Sequence, residues 1–128
     1  MGLAAALRRA ARAITGHPIQ LPPSLLDRYP ELANARWRAG GLPPRVGGWF
    51  LGRSSVSAIT LWRTIWLARP RAASEELLLH EIRHVAQFEA DPAFAVRYVW
   101  ESMRRGYNRN KYEVDAREYA AARLTSDR

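Results

Sequence analysis

The chain contains no cysteine. Disulfides and thiolate-held metals are therefore excluded, although the absence does not by itself fix a compartment. Lysine is almost as scarce. One lysine stands beside nineteen arginines, and twelve acidic residues leave a formal charge of +8. A field of that sign attracts anionic partners. The arginines are scattered rather than blocked, however, and no nucleic-acid-binding motif accompanies them. A solvated basic surface is therefore the preferred reading over a nucleic-acid interface. No apolar run reaches the length of a membrane span, and there is no internal repeat or low-complexity segment. The N-terminal residues lack the continuous apolar core of a secretory signal. The Arg8-Arg9 pair is not followed by one either, which argues against a twin-arginine leader. These absences lead us to expect a cytoplasmic protein. At 128 residues, 48% of them hydrophobic, residues 1–128 should form one domain with a modest core.

What is present divides the chain into three stretches. Leu3, Leu7, Ala10 and Ile14 recur at helical spacing, with Arg8, Arg9 and Arg12 elsewhere on the wheel. Residues 1–16 thus read as a basic amphipathic helix. Packing on the domain is the favoured role for it, and weak contact with an anionic surface is the alternative. Residues 17–48 read as an irregular lead-in. His17-Pro18 and Pro22-Pro23 break the chain, 25–34 has the pattern of a short helix, and Gly40-Gly41, Pro43-Pro44 and Gly47-Gly48 punctuate the rest. Residues 49–128 should hold the strands and the main helices. Trp49-Phe50-Leu51 is one candidate strand. Residues 57–62 and 64–67, rich in β-branched and aromatic side chains, form one long strand or two short ones. The expected fold is α+β: a small, mostly antiparallel sheet packed on one central helix and two to three others.

That central helix carries the most informative run of the chain, His80-Glu81-Ile82-Arg83-His84. Ser74 can cap its start, and Glu75 and Glu76 suit the positive end of its dipole. Leu77, Leu78, Ile82, Val85 and Phe88 supply apolar surface on more than one side. Residues four apart share a helical face, so both imidazoles can reach one zinc ion. Glu81 lies beside them, placed to act as general base on the water that such an ion activates. The pattern points to a zinc-dependent metallopeptidase acting on a peptide or protein substrate. The competing reading is a structural helix with two buried, hydrogen-bonded histidines.

A catalytic zinc usually takes three protein ligands, and no third histidine follows at the spacing of the extended motif. Downstream lies Tyr112-Glu113-Val114-Asp115-Ala116-Arg117-Glu118. HExxH followed by a helical glutamate in an E-x-[ED]-A setting resembles the gluzincin metallopeptidases, and in particular their very small bacterial, minigluzincin-like members. The string HEIRHVAQ is similar to the HExxHxxQ of some of those families. The resemblance covers about residues 58–122 and is strongest at the two motifs. It implies a zincin-like fold, with His80, His84 and Glu113 as zinc ligands and Glu81 as base. Chain geometry favours Glu113 independently. Asp91-Pro92 can open a second helix that Gly106 ends, and a turn at 107–110 can then start a third helix at the height of the histidines. The competing role for Glu113 is a capping-box residue reaching back to Asn110. Asp115 and Glu118 should point to other faces. Many gluzincins carry an Asp four residues after the ligand Glu, where it orients a ligating histidine. Arg117 stands there in this chain, so Asp115 or a backbone carbonyl is expected to fix the imidazole tautomer instead.

Zincin sites commonly lie beneath an edge strand that pairs with extended peptide, a role the residues before the motif can fill. Burial within the sheet is the competing role. Arg63 and Tyr107 are candidates to stabilise an oxyanion, although most such side chains are solvated. His17 reads as solvated or structural rather than as a ligand. Two functional classes remain: an active zinc peptidase, and a non-enzymatic zincin-like module acting through its basic surface.

Overall fold

The computed structural model describes residues 2–41, 43 and 57–126. The candidate strand 49–51 and the Gly47-Gly48 pair lie outside them. Helix α1 spans Leu3–Thr15, strand β1 His17–Pro18, helix α2 Pro23–Arg28 and strand β2 Arg36–Ala39. Then come β3 (Ala58–Leu61), β4 (Thr64–Leu67), α3 (Glu75–Ala90), α4 (Phe94–Arg105) and α5 (Lys111–Ser126). Short 3-10 turns occupy Pro30–Asn34 and Pro70–Ala72. The fold is α+β, as the hydrophobic patterning implies.

The sheet has the order β1-β2-β4-β3. Two pairings are antiparallel and the central one, β2 with β4, is parallel. The β-branched run before the central helix resolves into two strands, with Ala58 opposite Leu67 and Leu61 opposite Thr64. Trp62 turns the corner at a positive φ of 55°, a conformation that costs a bulky residue about 1–2 kcal/mol. Its ring lies 5.8 Å from that of Phe88, a contact that offsets part of this cost.

The stretch 17–48 holds more regular structure than its prolines and glycines suggest. It supplies β1, β2 and α2, and Trp37 of β2 is buried with its indole N–H donating to Leu32 O at 2.8 Å. These strands are two and four residues long, too short to carry a readable alternation. Gly16 is required where α1 meets the sheet. Its φ is +68°, and a Cβ there would stand 2.2 Å from Ala39 O.

Helix α3 runs through the middle of the molecule. Ser74 Oγ accepts from Leu77 N at 3.0 Å, the expected N-cap. Leu78, Leu79, Ile82 and Val85 are buried between the sheet residues Trp37, Ile65 and Leu67 on one side and α5 on the other. Along α5 the buried apolar positions are Ala116 and Ala120, both fully inaccessible. These one-carbon side chains let α5 lie close against α3. Helix α4 begins two residues later than Asp91-Pro92 suggests. Asp91 Oδ1 accepts from Ala93 N and closes a turn, and the helix starts at Phe94. Gly106 ends it at φ 77°, with its N–H on Ser102 O.

None of the residues of helix α1 is buried, and Leu3, Leu7 and Ile14 are exposed. Among the described residues its hydrogen bonds to the sheet lie at its C-terminal end, from Arg38 Nε and Trp66 Nε1 to Thr15 O at 2.7 and 2.8 Å.

Candidate metal centre

The chain returns to α3 as its loop lengths suggest. Asn110, fully buried, fixes the point of return. Its amide donates to Tyr98 O and Ser102 Oγ on α4, while its Oδ1 accepts from Tyr112 N at the start of α5. The cap of α5 is thereby tied to α4, and Glu113 falls in the first turn beside the histidines. The Glu113 carboxylate does not reach back to Asn110. One oxygen, Oε2, lies 2.8 Å from His80 Nε2, and the other, Oε1, 2.9 Å from His84 Nε2. Tyr98 donates to Oε1 as well, at 2.8 Å.

The structure thus brings His80, His84, Glu81 and Glu113 together. Ligand atoms of His80, Glu81 and His84 lie within 4.8 Å of one another, a group able to hold a metal ion. The donor chemistry fits a divalent cation: two imidazole nitrogens aimed at one carboxylate, with that carboxylate almost fully buried. The approaches of the two imidazoles, at 2.8 and 2.9 Å, are to different oxygens of Glu113 and are of hydrogen-bond length.

Glu81 does not share the hydrogen bonds of Glu113. It is buried against β3, where Thr60 Oγ1 donates to its Oε2 at 2.7 Å. Among the described residues β3 lies at the edge of the sheet, paired on one side with β4. An edge strand beside the motif is what the sequence suggested. Thr60 itself carried no signal, because its contact spans twenty-one residues and depends on how strand and helix pack.

No protein-family model, curated protein or solved structure matches the chain. Its chemistry is therefore argued from the site itself.

Electrostatics in the metal-free site follow from burial and pairing. Burial works against charge on Glu113, but the hydrogen bonds and charges of His80 and His84 prevail and hold it well below the usual carboxylate range. Burial likewise lowers His84. The hydrogen bond to Glu113 and the nearby charges of Glu81 and Glu113 outweigh it and raise His84 to about 9. Tyr98 and Tyr107 are both pushed up, first by burial and then by Glu113, so both hydroxyls stay protonated and able to donate.

The expected orienting group for the imidazole is neither Asp115 directly nor a backbone carbonyl. Gln87 provides it. Its side-chain Oε1 accepts from His84 Nδ1 at 2.7 Å, which leaves Nε2 facing the centre. Gln87 is held in turn. Its Nε2 donates to Asp115 Oδ2 at 2.8 Å and to Tyr112 O at 3.0 Å. Asp115 also receives Arg83, through Nε at 2.8 Å and a second nitrogen at 3.3 Å. The spacing signal was present, since Gln87 stands three residues after His84 on the same helix face. Arg117 stays clear of the centre and donates to Asn108 O. Glu118 is exposed.

Of the two oxyanion candidates, Tyr107 stands near Glu113 and Glu81, whose charges act on it. Arg63 does not line the site. It is exposed, donates to Asn34 O and lies 3.8 Å from Glu89. His17 is exposed on β1. An aromatic wall closes the far side of His84: Phe94 and Tyr98 approach its ring at 6.4 and 6.1 Å, with Phe88 and Tyr112 behind Phe94.

Proposed function

We propose that the chain is a small zinc-dependent metallopeptidase of the gluzincin type. The observation that carries this reading is the division of labour between two buried glutamates. Glu113 hydrogen-bonds both imidazoles, whereas Glu81, with an oxygen within 4.8 Å of nitrogens of the same histidines, is hydrogen-bonded by Thr60 instead. A structural metal site has no use for the second carboxylate. A hydrolytic site needs it.

His80, His84 and Glu113 would hold the ion. Zinc there would supply Lewis acidity and bring the pKa of a water to about 7. Thr60 fixes Oε2 of Glu81 and leaves Oε1 to take the proton of the attacking water and deliver it to the departing amine. Tyr107, kept protonated beside Glu113 and Glu81, would donate to developing negative charge. An extended peptide would pair with the outer edge of β3, so affinity would come from main-chain hydrogen bonds with little side-chain choice. The Gln87–Asp115–Arg83 chain fills the orienting role that Arg117 leaves vacant, which supports an enzyme over a non-enzymatic module.

Replacing Glu81 by Gln keeps shape and hydrogen bonding but removes the base. Zinc should stay bound, and hydrolysis of an unbiased peptide mixture should fall by at least about a hundredfold. Equal cleavage by wild type and Glu81→Gln, purified identically, would point to a contaminant. No cleavage by zinc-loaded wild type across broad peptide and protein pools would favour the non-enzymatic module.

A further inference from the structure

Two helices turn apolar surface outward with arginines bordering it. On α1, Leu3, Leu7 and Ile14 form one stripe, at i, i+4 and i+11, and Leu3 is 75% exposed. Arg8, Arg9 and Arg12 occupy the remaining faces. No acidic residue occurs before Asp27, so nothing within the helix offsets them. On α4 the inward face carries Phe94, Tyr98 and the buried Glu101 toward the rest of the protein. The outward face is Val96, Val99, Trp100 and Met103, spaced i, i+3, i+4, i+7 and between 56 and 76% exposed. Arg97 and Arg104 border it, and both are exposed. Asp91 balances Arg97 at 3.1 Å, while the one acid of α4 itself lies on the opposite, buried side.

Exposed contiguous apolar surface of this kind marks an interaction site. Its chemistry favours one occupant. An amphipathic helix rich in arginine, with Leu, Ile or Trp on the other face, lies in the plane of a bilayer surface. Tryptophan prefers the headgroup level, where its ring is apolar and its N–H stays wet. Helix α1 is about 20 Å long at 1.5 Å per residue, and no helix among the described residues is long and apolar enough to cross a membrane. Among the described residues α1 is held at its C-terminal end, by hydrogen bonds to Thr15 O and Gly16 O, and none of its residues is buried.

We infer that the outward faces of α1 and α4 dock this protein on an anionic lipid surface. The apolar stripes enter the boundary between headgroups and acyl chains, and the bordering arginines meet lipid phosphates. Docking of this kind is independent of the metal centre, which lies on the inward side of α4.

The test is flotation of the full chain with vesicles of phosphatidylcholine alone, or of phosphatidylcholine and phosphatidylglycerol in equal parts. The wild type should float with the mixed vesicles and remain behind with the neutral ones. Added salt should release it, as screening shortens the reach of each charge. Leu7→Ser with Ile14→Ser, and separately Val99→Ser with Trp100→Ser, should each lower partitioning at least about tenfold. Arg8→Ser should cost roughly fivefold. Leu7 and Ile14 are 59 and 53% exposed, and unchanged circular dichroism checks that their replacement leaves the fold intact. Unchanged zinc content and circular dichroism make the same check for α4. Loss through either pair supports lipid docking and assigns the face that carries it. Flotation unaffected by all four replacements, equal flotation with neutral vesicles, or none with either would overturn the inference. So would a dimer in solution that the serine variants dissolve, which would assign these faces to a second copy of the chain.

Discussion

At the residue scale, His84 carries the strongest demands of the site. In the proposed site one nitrogen would face the ion, the other would be held, and the ring would have to lose its proton for an ion to bind. Gln87 Oε1 holds Nδ1. Gln87→Leu removes that acceptor and leaves the ring free to turn, so zinc affinity should fall by about ten- to a hundredfold. A competition titration with a chromophoric chelator reads the change, and an unaltered affinity would mean that packing alone orients the ring. The metal-free protein should also show a characteristic pH dependence. His84 is raised to about 9, so its stabilising contribution is complete below its ordinary value of 6.5 and is lost as pH rises through 9. Glu113 is lowered, so its contribution is present above its ordinary value of 4.5 and is lost as pH falls. Thermal unfolding in the presence of a chelator should therefore give the highest midpoint between those two ordinary values and a decline toward pH 9. A midpoint that climbs across that upper range would contradict the pairing. At this scale the sequence revealed what local periodicity controls. The i, i+4 histidines and the intervening glutamate are fixed by the helix alone. Glu113 was within reach because two helix lengths and a turn set where the chain returns. Thr60 was not, because strand-to-helix packing decides it, and Arg63 was drawn off to Asn34 and Glu89 by a turn whose direction no motif encodes.

At the element scale, the contact that holds the ligands in place is α3 against α5. His80 and His84 ride on one helix and Glu113 on the other, so their spacing depends on how closely the helices lie. Ala116 and Ala120 set it, both with no exposed surface. Ala120→Leu adds three carbons to a filled interface, and should destabilise the fold by about 1–3 kcal/mol. Urea unfolding measures this, and a stability within error of wild type would mean that the interface is looser than its burial implies. Helix limits followed from capping chemistry where it is local, at Ser74 and Gly106. They slipped at Asp91, where the side chain closes a turn before the helix. The hairpin of β3 and β4 was legible from its β-branched run. The parallel pairing of β2 with β4 was not, since four-residue strands leave no pattern that specifies a partner.

At the scale of the whole molecule, the buried and exposed surfaces have different chemistry. The core gathers between sheet and α3, the candidate metal centre lies at the junction of α3, α4 and α5, and the outward faces of α1 and α4 remain apolar and bordered by arginine. Hydrophobic patterning located the stripe of α1 but not its role, and on α4 it suggested packing for Val96, Val99, Trp100 and Met103, which the structure leaves exposed. A helical stripe looks the same whether it packs on its own domain, as α3 does, or stands open, as α1 does. What joins the account is the metal, and elemental analysis of the chain purified under zinc-replete conditions tests it most directly. One zinc per chain is expected in the wild type and in Glu118→Gln, with stoichiometric zinc lost in His84→Ala and a markedly weakened site in Glu113→Gln. A wild-type chain without tightly bound divalent metal, or a site that Glu118→Gln empties and Glu113→Gln leaves full, would contradict it.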